Sequence, residues 1–274
     1  GIGPALGVGL GFALASLGLD GIPDRAPVGA SDWVLPIMGA ALIAACAGEL
    51  LTKGAKAHAL RWLLRLGLVA VIVFGPLKRP WGNQWEGVEA AYWLGGITLW
   101  MPLALAASDR TAAKASPFAA GLVWTAFIGG LVPVVFGAGV TAQSQIAGGV
   151  AAAIGGVTLA AWLGRKTLPH LRAVGTLVVV YTAMLLAVSW QFVSDMAWWE
   201  LGVIAATPIA IALVDVIPGL RGLSVFKRQA VRIVLVVAAT AAVSGHHAPE
   251  LIKELTGAGG SDDPYGDYYE SLGG

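Results

Sequence analysis

Residues 118–138 read FAAGLVWTAFIGGLVPVVFGA, 21 residues without one charged side chain. About 20 mostly apolar residues, coiled as a helix, cross the hydrocarbon core of a bilayer. Backbone groups left open in lipid are costly, so such a run forms a helix rather than irregular chain. Working outward, the same reading applies to residues 2–19, 33–51, 60–77, 88–108, 146–164, 175–193, 198–219 and 229–245. The breaks between them are short and carry polar, Pro or Gly residues. None of the runs shows the alternating pattern of a membrane barrel. The expected fold is all-α: a polytopic integral membrane bundle of about nine transmembrane helices with short loops.

Composition agrees. Of 274 residues, 57% are hydrophobic and only 12% charged, against about a quarter charged in soluble domains. So little polar material leaves a water-facing globule of this size uncovered. Residues 1–245 form the predicted bundle and 246–274 an extracytoplasmic C-terminal tail. In that tail Pro249 suits the first position of a short interfacial helix over residues 249–255. The first span has no basic residues before its apolar core, so it reads as a retained span rather than a secretory signal. Cys46 is the single cysteine, which excludes an intramolecular disulfide and a cysteine metal site.

Basic residues orient the bundle. With alternate loops assigned to two sides, the side holding Gly1 receives 13 of the 17 lysines and arginines, among them Arg61, Arg65, Arg110, Arg172, Arg228 and Arg232. Of the 16 acidic residues, only Glu49, Asp109 and Asp215 fall on that side. The expectation is a multi-pass protein of the plasma (inner) membrane with a cytoplasmic N-terminus and an outside C-terminus. Trp33, Trp81, Trp85, Trp190, Trp198 and Trp199 lie at outer helix ends, as an aromatic belt requires. Trp93, Trp100 and Trp124 sit deeper and read as packing residues.

Chemistry-bearing residues are few. Glu49 and Asp215 lie near the inner ends of their helices and invite a polar site there, with Arg65 and Arg232 placed to snorkel toward headgroups. On the outer side, the Trp81–Glu86 segment faces Trp198, Trp199 and Glu200, and Glu86 and Glu200 together suit general acid–base work on a lipid-linked substrate. His246 and His247, with Glu250, approach a metal-ligand set but lack a further ligand. Haem would need inward-facing axial histidines, whereas His58 and His170 fall in loops. No phosphate-binding glycine loop or nucleophile elbow is present. No cofactor, metal or nucleic acid is expected, and membrane lipids and other membrane subunits are the expected partners.

Small residues spaced by four form smooth faces where a helix can approach closely. They are Gly3, Gly7, Gly11 and Ala15; Gly148, Ala152, Gly156 and Ala160; and Gly121, Thr125 and Gly129, continued by Pro133 and Gly137. In the tail, Tyr265, Tyr268 and Tyr269 with Asp262, Asp263 and Asp267 read as anchors and charges for docking on a partner. These features favour a non-catalytic scaffold or accessory subunit of a larger membrane assembly. A carrier or flippase for a neutral or lipidic solute, with a broken helix at Gly129–Gly137, is the alternative. An outer-face enzyme on a lipid-linked substrate is the third reading.

Overall fold

The computed structural model describes residues 2–20, 31–50, 55–77, 87–137, 141–163, 171–192 and 196–256. Among these the chain is helical and has no strand. The helices are α1 (Ile2–Asp20), α2 (Val34–Leu50) after a 3-10 turn at Ser31–Trp33, α3 (Ala55–Phe74), α4 (Gly87–Lys114) and α5 (Pro117–Gly137). Then come α6 (Thr141–Leu163), α7 (Arg172–Phe192), α8 (Trp198–Leu213), the single turn α9 (Pro218–Arg221) and α10 (Val225–Thr256). Stretches of α1, α4, α5 and α10 are long and apolar enough to cross a membrane, and α2, α7 and α8 are shorter apolar helices. These helices point to a membrane protein.

Each apolar run of the sequence largely overlaps a helix, and three differences are informative. α8 stops at Leu213, not 219, because Ile217 precedes Pro218 and takes an extended conformation. The last helix runs through Pro249 to Thr256, so no separate helix begins at that proline; one forgone backbone bond does not end it. α5 likewise runs unbroken through Gly129, Gly130 and Pro133. The broken helix expected there is replaced by a continuous one, with Leu131, Val134 and Val135 held in the core on either side of the proline.

Helix neighbours close a ring in the order α1, α2, α3, α4, α8, α10, α5, α6 and back to α1. Inside it stands α7, packed on α1, α2, α4, α5 and α8. Every α7 side chain from Ala173 to Ala187 is buried. A helix that is apolar all round is suited to that position. Among its hydroxyls, Thr182 donates to the Val178 carbonyl of the same helix at 2.8 Å, and Tyr181 donates to the Gln143 carbonyl of α6 at 3.0 Å.

Small residues set the closest crossings. α1 and α6 run antiparallel, and a methyl group at Gly11 would come within 2.5 Å of Ala153 Cβ, one at Gly149 within 2.6 Å of Ala15 Cβ. Gly7 faces Val157 in the same seam. On the other side of α6, Gly121 abuts Thr158, and Gly129 lies against Ala151. Of the three small-residue faces, those on α1 and α5 are thus used within the bundle, apart from Gly3, which has open space. The third face differs. Ala152, Gly156 and Ala160 of α6 are exposed, and a methyl group at Gly156 would meet nothing within 4 Å.

Candidate functional site

Among the described residues, the charged side chains gather toward the two ends of the bundle. At the basic end, α3 and α4 are joined by Arg65 and Asp109, whose two parallel hydrogen bonds are both 2.8 Å. That fork-to-fork pairing is the strongest geometry open to a guanidinium and a carboxylate. Arg65 is 5% exposed, so it turns inward to a partner and does not snorkel. The Trp62 ring lies 5.3 Å from its guanidinium carbon, one helical turn away on the same face. Glu49, Arg61 and Arg172 line the same cleft, a space of about 20 Å³ between α2, α3, α4 and α7. Such a volume suits a single water rather than a solute.

Asp215, just past α8, anchors a second cluster. Its carboxylate accepts from Arg232 and, at 3.3 Å, from Arg228, while Arg110 approaches its backbone carbonyl at 3.5 Å. Arg232 is 1% exposed, again an inward turn in place of the expected snorkelling. Full burial of an arginine is tolerated only with a carboxylate beside it. Glu49 and Asp215 therefore belong to separate clusters, flanking the consecutive residues Asp109 and Arg110 of α4.

The opposite end holds the feature that sequence reading missed. Glu200 is fully buried. One carboxylate oxygen accepts the Ala197 backbone N–H at 2.8 Å, capping the start of α8. His247 of α10 places its Nε2 at 3.3 Å from that same oxygen, in hydrogen-bonding geometry, and 3.2 Å from the other, and His246 stands 3.9 Å away in a T-shaped contact with Trp199. The histidines thus meet Glu200, and among the described residues no three such side chains are placed to hold a metal ion. The separation of 47 residues hid the pair; the one local signal was an acid in the first turn of an apolar helix. Glu86, proposed as its catalytic companion, lies outside the described residues, as do Tyr265, Tyr268, Tyr269, Asp262, Asp263 and Asp267. What the described geometry can do is clamp α8 to α10.

Between α4 and α8, near that end, lies an apolar groove of about 270 Å³. Gly96 and Gly202 leave it open, with no atom within 4 Å of a methyl group at either. Trp93 stacks on Trp198 with ring centroids 5.2 Å apart, and Trp100 donates to the Ala205 carbonyl at 2.7 Å, so indoles wall it on both sides. Trp124, by contrast, is wholly buried in the core.

No family model matches the chain, and no curated protein or solved structure matches it significantly. The class that can be stated is that of an all-α membrane protein.

Proposed function

We propose that the protein is a non-catalytic scaffold or accessory subunit, crossing the plasma membrane nine times and packing against a second membrane subunit through α6. The carrying observation is the exposed face Ala152, Gly156 and Ala160, left over beyond Gly148 while the equivalent faces of α1 and α5 are spent inside the bundle. In lipid, apolar burial offers no gain between helices, so a smooth face matters through close van der Waals approach. The packed α7 at the bundle centre, whose one charged residue is Arg172 at its first position, also favours a static role over ion movement, since ion pathways place ionisable groups deep in the membrane. The basic end faces the cytoplasm in this reading, and the C-terminal tail lies outside.

Gly156→Leu tests it. The variant is expected to fold and to melt no lower than the parent, but to lose membrane subunits that co-purify from native membranes. Retention of every such subunit at parent levels counts against the proposal. A second reading, a carrier for a lipidic solute, draws on the indole-walled groove of α4 and α8; loss of uptake or flipping in a Gly96→Leu variant with an unchanged assembly would favour it. The outer-face enzyme reading is weaker, because Glu200 is sealed under His247 and engaged by the α8 backbone.

A further inference from the structure

We infer that the cluster of Arg110, Arg228 and Arg232 binds the phosphate of an anionic lipid headgroup at the basic end of the bundle. Three guanidinium groups converge there on Asp215, Arg228 and Arg232 on its carboxylate and Arg110 on its backbone carbonyl. That leaves an excess of two positive charges. Asp109, next in sequence to Arg110, is already held by two hydrogen bonds from Arg65. The other charged groups on the adjoining turns, Arg221 and Lys227, add to the excess.

Burial sharpens the imbalance. Asp215 and Arg232 side chains are 3% and 1% exposed, and Arg228 is 21% exposed. The Nε atoms of Arg228 and Arg232 are both buried without a hydrogen-bond acceptor. A buried charged donor left unsatisfied is costly, and an anion with several acceptor oxygens satisfies two such donors at once. Phosphate fits because guanidinium forks match its oxygens. Arg110, itself exposed, provides the open side of the site.

The source of the phosphate follows from the surroundings. Val216, Ile217, Val225 and Phe226 are 46–83% exposed and sit in the turn after α8 and at the start of α10, beside the cluster. Exposed apolar side chains around a basic cluster suit the headgroup level, with the collar in the acyl region. Basic pockets between membrane helices are suited to anionic headgroups.

The test uses the full chain in nanodiscs of phosphatidylcholine with or without phosphatidylglycerol, with thermal stability and native mass spectrometry as readouts. Arg110→Gln and Arg228→Gln, alone and together, keep the Arg232–Asp215 pair, so folding is retained; an unchanged helical signal and elution volume verify this. The expected result is stabilisation of the parent by phosphatidylglycerol, with apparent affinity falling about fivefold for each arginine removed. Arg221→Gln and Lys227→Gln, exposed controls, should change it far less. Equal loss in the controls reduces the effect to general surface charge and overturns the site. If millimolar inorganic phosphate stabilises detergent-solubilised protein as well as phosphatidylglycerol does, the lipid source is wrong. No stabilisation by either ligand overturns the inference entirely.

Discussion

Gly11→Leu probes the seam that closes α1 onto α6. At this position a Cβ would stand 2.5 Å from Ala153 Cβ, whereas carbon atoms rest about 3.5–4.0 Å apart. The helices must separate by roughly 1–1.5 Å at the crossing before the rest of the leucine is accommodated. Overpacking of this kind costs about 1–3 kcal/mol. The upper end is expected, since the obstacle is an alanine methyl with no rotamer to move aside. The matched control is Gly156→Leu, also mid-helix, where nothing lies within 4 Å. Both substitutions gain the same helix propensity, about 0.8 kcal/mol, so their difference isolates the packing term. Unfolding of the purified protein in detergent, by heat or by increasing SDS, reads it directly. If Gly11→Leu unfolds together with Gly156→Leu, the antiparallel seam is wrong.

Two further outcomes follow from the opposite end of the molecule. His247→Leu leaves the Glu200 carboxylate buried without its imidazole and should destabilise the bundle by about 1–3 kcal/mol; His246→Ala, at 3.9 Å and with a 56% exposed side chain, should change the same melting curve little. Truncation after Gly257 should leave insertion and melting intact while weakening association with a partner subunit on native gels. Raised salt should weaken that association too, because exposed charge pairs are screened.

The helices were legible in the sequence, and their arrangement was not. Runs such as residues 118–138 are too long and apolar to be anything but helix, and α5 (Pro117–Gly137) follows that run within a residue at each end. Ring order is different, because lipid-facing and core-facing surfaces of a membrane helix are equally apolar. Hence α7 is chemically little different from α5, yet one stands at the centre and the other in the ring. The fate of charge was legible only in part. Glu49 and Asp215 were placed at the basic end by counting residues along their helices, but snorkelling and inward pairing put the same arginine at the same depth. Only the tertiary neighbours Asp109 and Asp215 decide between them for Arg65 and Arg232. Glu200 and His247 were each visible, and nothing local linked α8 to α10. Of the small-residue faces, spacing identified all three, while which one stays exposed depends on the ring.

Cysteine accessibility tests most directly the proposed nine-pass topology with its basic end in the cytoplasm. In a Cys46→Ala background, Asn83→Cys and Ser261→Cys should react with a membrane-impermeant maleimide on intact cells, and Ser116→Cys and Ser224→Cys only after permeabilisation. The reverse pattern contradicts the orientation, and labelling of both pairs on intact cells contradicts the nine passes.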